Sequence, residues 1–296
     1  MYDRRMPSRS TRVFAACLAL AAAPALGGCS DHGKASEEKA THAIEEVKKR
    51  AEADVKDLEV GLPAATAKLA PLFAQGAEPS GDLSAVRKAL RQIRAEVPEL
   101  TRSSSTFFAL TDSHGIAIRN DLDQDVMAGQ DVWKLFPALA PKPGADAPAF
   151  ASAAGLFAGA RAPGDPDRDW VAATPLKDAK GAFAGMLIGG WTLRRFAYHL
   201  EEAFRHDLIA DQAKTKDPGK LPIVYVGVFD ASGVYAAPNT PAVNRQALVD
   251  LGLVAKTAAG PVHGVLSITD RDFGYAATRI PALEADGGVV VLWSEI

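Results

Sequence analysis

Thiols are scarce in this chain: its 296 residues hold two cysteines, Cys17 and Cys29, too few for a disulfide framework. It has no Gly-x-Ser-x-Gly elbow, no His-Glu-x-x-His helix and no phosphate-binding glycine loop, so the common signatures of serine hydrolysis, zinc proteolysis and nucleotide binding are missing. The chain is therefore read as a non-enzyme, with no catalytic residue and no cofactor to nominate. Basic charge is not in excess either, since 33 Lys+Arg stand against 36 Asp+Glu; this disfavours nucleic acid as a partner. Past the N-terminus no apolar run reaches the roughly twenty residues that a membrane-spanning helix needs.

What the N-terminus does hold is an export signal. Arg4, Arg5, Arg9 and Arg12 precede an apolar stretch over 13–26, the order of charge and hydropathy that a secretory signal shows. The stretch is too short to span a bilayer. Leu26-Gly27-Gly28-Cys29 resembles the bacterial lipobox, in which small residues admit the peptidase and a diacylglycerol alkylates the cysteine thiol. That resemblance implies a signal peptide over 1–28, lipidation of Cys29, and an extracytoplasmic protein bound to the membrane through lipid only. Ser30 after the cysteine favours the periplasmic face of the outer membrane. Removing 1–28 takes away four basic residues and one acidic one, leaving a net charge of −6. Cys29 is then the sole cysteine, so no disulfide can form within one mature chain.

The hydrophobic period divides the remainder. Ile44, Val47, Ala51, Val55, Leu58 and Leu62 recur every three or four residues, which predicts an amphipathic helix over about 30–61. Leu83, Val86, Leu90, Ile93 and Val97 predict a second, capped by Asp82 and interrupted at Pro98. Pro63, Pro71 and Pro79 punctuate the stretch between, with room for another short helix. From Thr106 the period changes to strands over 107–111 and 116–119, joined by a type I turn at Asp112-Ser113-His114-Gly115. A helical region with long loops is expected over 131–159, then strands over 170–176 and 183–191, then a helix through Leu193, Phe196, Leu200, Phe204 and Leu208 capped by Thr192. Residues 211–221 read as a linker.

The last seventy-five or so residues run through the same order again. Phe229-Asp230-Ala231-Ser232-Gly233-Val234 matches Thr111-Asp112-Ser113-His114-Gly115-Ile116, and Tyr275-Ala276-Ala277-Thr278 matches Val171-Ala172-Ala173-Thr174. In both copies a closing strand ends in tryptophan, Trp191 and Trp293. Two copies of one supersecondary unit explain this economically, chance likeness of two hairpins being the alternative.

These residues, with Gly129-Gln130-Asp131 opening a helix, resemble the extracytoplasmic Cache family, whose modules are PAS-like: an antiparallel sheet with helices over one face. The resemblance implies an α+β fold with helices over 29–102, a first Cache-like module with its connecting helix over 103–210, and a second, smaller one over 221–296. It further implies a small-molecule-binding or sensing role exercised through an envelope partner protein, because the chain ends at Ile296 on a predicted strand. A structural or adaptor lipoprotein is the competing reading, and a hydrolase a lesser one. The family's amino-acid motif has an Arg separated by one residue from a Trp-aromatic pair; here Asp131 stands at that spacing before Trp133, followed by Lys134, so the charge is reversed and amino-acid recognition is not carried over. A small polar ligand is expected between the first sheet and the segment over 121–169, near Arg119, Asp131, Trp133, Trp170 and Thr174, the two tryptophans forming an aromatic wall. Tyr235, Asn239, Arg271 and Tyr275 form a reserve set in the second module. No metal site is expected: Asp121, Asp123 and Asp125 alternate as in a calcium loop, but Val126 and Val132 stand where the turning glycine and bidentate glutamate belong. Those aspartates read as a solvated acidic loop, and His199 and His206 as surface residues.

Overall fold

The computed structural model describes residues 29–73, 83–141, 149–157, 168–215 and 220–295. The expected signal peptide, the Cys29 side chain, the Asp82 cap and part of the expected linker lie outside the described residues. Helix α1 (Cys29–Leu69) is followed by a 3-10 turn (Ala70–Phe73), α2 (Leu83–Glu96) and α3 (Pro98–Arg102). The stripe of α1 is buried throughout, from Ala40 and Ile44 to Leu62, Ala65 and Leu69. The helix was expected to stop before Pro63, yet it continues through it. A proline removes one backbone donor, whereas ending there would have exposed Ala65 and Leu69, both fully buried. Pro98 does end α2, and serves as the first residue of α3.

Among the described residues ten strands follow, in two sheets. The first contains β1 (Phe107–Thr111), β2 (Ala117–Asn120), β3 (Ala151–Gly155), β4 (Asp169–Lys177) and β5 (Phe183–Thr192). Its order is β2-β1-β5-β4-β3, and all pairs are antiparallel. The second contains β6 (Ile223–Asp230), β7 (Gly233–Ala236), β8 (Val262–Ile268), β9 (Arg271–Arg279) and β10 (Gly288–Ser294). Its order, β7-β6-β10-β9-β8, repeats the first strand for strand, again antiparallel. The α+β architecture with two such sheets behind a long N-terminal helix agrees with the fold expected from the sequence.

Strand β3 is a correction. A helical region was expected over 131–159, but its described residues hold only α4 (Val132–Leu135), a 3-10 turn (Pro137–Leu139) and this edge strand. Ala-Ser-Ala-Ala-Gly contains no β-branched or aromatic residue to announce a strand; pairing with β4 supplies what propensity does not.

Alternation along the strands gives each sheet two faces. On β4, Trp170, Ala172 and Leu176 join one continuous core with α1, α2, α5 (Leu193–Gln212) and the inner face of the second sheet. Val171 and Ala173 point the other way, into a separate cluster beneath the segment over 122–157. The outer face of the second sheet has its own cluster, covered by α6 (Ala242–Asp250) and α7 (Leu253–Lys256). Thr192 caps α5 as expected, its Oγ1 accepting from Arg195 N at 3.2 Å. No helix among the described residues is long and apolar enough to cross a membrane.

Candidate functional site

The outer face of the first sheet packs against the segment that holds α4 and β3. Here Phe107, Met186 and Ile188 of the sheet meet Val132, Phe136, Leu139 and Phe157 of the covering segment. Phe157 lies edge-on to Phe107 with ring centres 5.9 Å apart, and 4.9 Å from Phe136. This interior is apolar, so polar recognition is confined to its rim, at the β1–β2 turn.

Two of the expected residues, Asp131 and Trp133, belong to that rim, and Arg119 lies further along β2. Asp112 Oδ1 accepts from His114 N and Ile116 N, both at 2.8 Å, and so closes the turn. Gly115 there has φ +83°, a left-handed conformation that glycine adopts without strain. The Trp133 indole lies directly on it; a Cβ at Gly115 would collide with the ring. Trp133 stacks on Phe183 at 6.5 Å and 29°, and its Nε1 is buried with no acceptor among the described residues. Asp131 caps α4 by accepting from Lys134 N at 3.0 Å, while Val132 N donates to Gly115 O at 2.9 Å and fastens the helix to the turn. Arg119 pairs with Asp125 at 2.9 Å.

The other two lie elsewhere. Trp170 and Thr174 share the inner face of β4, opposite Trp133, so the two tryptophans do not form one wall. Trp170 stacks on Trp191 at 4.7 Å, Trp191 stacks on Phe196 at 4.2 Å, and Trp170 Nε1 donates to Leu283 O of the second module at 2.6 Å. Thr174 Oγ1 is buried without a partner among the described residues. The reserve set is dispersed as well. Tyr235 is buried against Asp230, Asn239 donates to Glu201, Arg271 borders an open hollow beside Asp272, and Tyr275 lies under Lys256 on the outer face.

The alternating aspartates correct the expectation of a solvated loop. Arg94, Arg91 and Arg87, one face of α2, meet Asp121 at 2.8 Å, Asp123 at 2.7 Å and Asp125 at 3.5 Å. The Arg91 hydrogen bond holds the Asp123 carboxyl below its usual range. Asp121 is nearly buried and also accepts from Phe108 N at 2.8 Å. The acidic run is thus a latch for α2. Of the two histidines, His206 is exposed as expected, but His199 approaches the buried Asp54 of α1 at 3.5 Å.

Sequence reasoning missed two polar clusters between the modules. Arg168 Nη1 reaches Asp230 Oδ2 at 2.5 Å and Ser232 Oγ at 3.0 Å, and Nη2 reaches Ala154 O at 3.0 Å. Burial opposes the Arg168 charge, but Asp230 and Glu284 outweigh it and raise its pKa. Burial, aided by the Asp230 charge, raises Tyr235. In the second cluster Glu201 of α5, fully buried, accepts from Val226 N at 3.0 Å, Asn239 Nδ2 at 2.9 Å and Arg205 Nη2 at 2.9 Å. Desolvation still pushes its pKa up. The one sequence signal available was that Asp230 repeats Asp112; its partner, 62 residues away, leaves no local trace.

No protein family and no curated protein matches the chain. Among solved structures, an extracellular ligand binding receptor from Desulfohalobium retbaense DSM5692 superposes with a TM-score of 0.51 at 13% identity, over 88% of this chain and 41% of the receptor. The chain thus spans about two-fifths of that receptor's length. The ligand-binding domain of the Pseudomonas aeruginosa PAO1 amino acid chemoreceptor PctC, in complex with GABA, gives 0.44 at 17% identity, covering 87% and 97%. The sensor domain of the V. cholerae histidine kinase DctB gives 0.46 at 12% identity, covering 89% and 98%.

Proposed function

We propose that this protein is a lipid-anchored, extracytoplasmic, non-enzymatic small-molecule-binding or sensing protein that acts through a partner. The reading rests above all on one observation: two sheets of identical strand order, each with one face under its own covering segment, joined to an N-terminus that carries an export signal and a lipobox-like cysteine. At the level of fold alone, the likeness to an extracellular ligand binding receptor supports it. The modules are assigned to 103–210 and 221–296, and the anchor to Cys29.

The ligand is placed at the rim of the first module, between the β1–β2 turn and α4. Trp133 Nε1, buried and unpartnered there, offers a donor whose desolvation a ligand acceptor would offset. Asp131 and Arg119 flank it and orient a small polar molecule; Trp170 and Thr174 support the sheet from its other face. The test is a thermal-shift screen of the mature protein in detergent against amino acids, carboxylates and amines. A binder raises the unfolding midpoint as its concentration passes Kd, and Trp133→Phe, which removes the donor together with part of the ring, should weaken that shift. A screen with no shift would favour the adaptor reading, for which the apolar filling beneath the covering segment also speaks.

A further inference from the structure

The duplicated turn is filled in one module and open in the other. In the first, the Trp133 indole rests on Gly115. In the second, a Cβ on the matching Gly233 would meet nothing within 4 Å. Over Gly233 lies a groove of about 400 Å³, walled by Phe229, Ala231 and Val234 on the hairpin and by Val249 and Leu253 on the helical side. Its volume falls within the roughly 300–1,000 Å³ range of small-molecule sites.

We propose that this groove is a second ligand site, and that it takes a small, uncharged planar aromatic molecule of about indole size. The inference stands apart from the first-module reading and needs none of its residues. Three observations specify the ligand. The first module offers a precedent, since its own chain lays an indole over the glycine at the matching sequence position, although Gly115 has φ +83° in the turn and Gly233 φ +156° at the start of β7. The walls are aliphatic and aromatic, and the one carboxylate at the edge, Asp230, already accepts from Arg168, Ser232 N and Gly233 N, which leaves no free charge for an ionic ligand. Ser232 Oγ, also on the lining, accepts from Arg168 at 3.0 Å and keeps a lone pair for a ring N–H. The groove is also continuous with the junction between the modules, because Asp230 and Ser232 belong to both. Occupancy would therefore bear on the Arg168 contact that joins them.

Indole itself is the probe. It is titrated into the mature protein in detergent, with equilibrium dialysis for affinity and amide chemical shifts for location. The expected result is saturable binding that perturbs the amides of Gly233 and Gly252. In Ala255→Trp, which fills the groove from an exposed position on α7, affinity should fall roughly tenfold or more. Ala231→Trp fills it from the hairpin side and serves if the first variant loses its circular dichroism signal. Absence of saturable binding to the unaltered protein, or affinity unchanged in a folded groove-filled variant, overturns the inference. Both outcomes are independent of whether polar ligands bind the first module.

Discussion

The two modules share a strand order and differ in what lies upon it. In the first, Asp112 closes the turn and does nothing further, and α4 is pinned to the turn by Val132 N. In the second, the matching Asp230 closes its turn through Ser232 N and Gly233 N and also receives Arg168 from the first module. The closing tryptophans diverge in the same way. Trp191 is fully buried between Trp170 and Phe196, whereas Trp293 lies edge-on to Phe204 at 6.2 Å and donates to Glu295. A sheet's ladder of hydrogen bonds keeps its register when side chains change, so two sheets of one strand order can carry different covering segments and contacts. One module has a self-filled turn; the other has its turn at the junction.

Substitutions at equivalent positions test that divergence. The largest difference is expected between the tryptophans: Trp191→Ala should cost about 3–5 kcal/mol, as for a large core side chain. Trp293→Ala should cost clearly less, because its ring is less enclosed. Thermal or denaturant unfolding reads both, and equal losses would erase the distinction. Next come the turn aspartates. Asp230→Ala should cost about 2–3 kcal/mol, below the ~3–5 of a fully buried pair because Arg168 is partly exposed. Asp112→Ala removes only local hydrogen bonds and should cost about 1 kcal/mol. Trp133→Ala should cost roughly 1–3 kcal/mol, less than a fully buried tryptophan. It should also open over Gly115 a groove like the one over Gly233, so that added indole recovers part of the lost stability.

Smaller still is the effect of pH at Glu201. Its folded pKa lies above the ordinary 4.5, so between those two values the folded state binds more protons than the unfolded one. Its contribution is therefore most favourable at low pH and declines as pH rises through the folded pKa. Relative to Glu201→Gln, the unaltered protein should lose stability from pH 4.5 upward and then level off. A difference that stays flat, or grows in the opposite direction, would contradict the assigned cause. At the bottom of the scale, Arg91→Ala removes a pair whose aspartate is almost fully exposed and one hydrogen bond to Asp121 O at 2.6 Å. It should lower the unfolding midpoint less than Arg94→Ala, which strips the partner from the buried Asp121 carboxylate.

What the sequence by itself determined is whatever rests on short-range pattern. The stripe from Ile44 to Leu62, the Thr192 cap, the Asp-x-x-Gly turn and the repeated order of strands ending in Trp191 and Trp293 are each set by neighbours within a few residues. Tertiary structure alone decided the rest. Only the folded chain carries α1 through Pro63, because burial of Ala65 and Leu69 outweighs one missing hydrogen bond. Only pairing with β4 turns 151–155 into a strand. Of the nominated residues, Asp131 and Trp133 meet at the β1–β2 turn, whereas Arg119 pairs with Asp125. Trp170 and Thr174 were misplaced because strand alternation settles a face only once the covering elements are known. Arg168 with Asp230, and Glu201 with Asn239, join residues far apart in the chain. Their pairing depends on how two modules dock, and docking is a sum over long-range contacts that no local window contains.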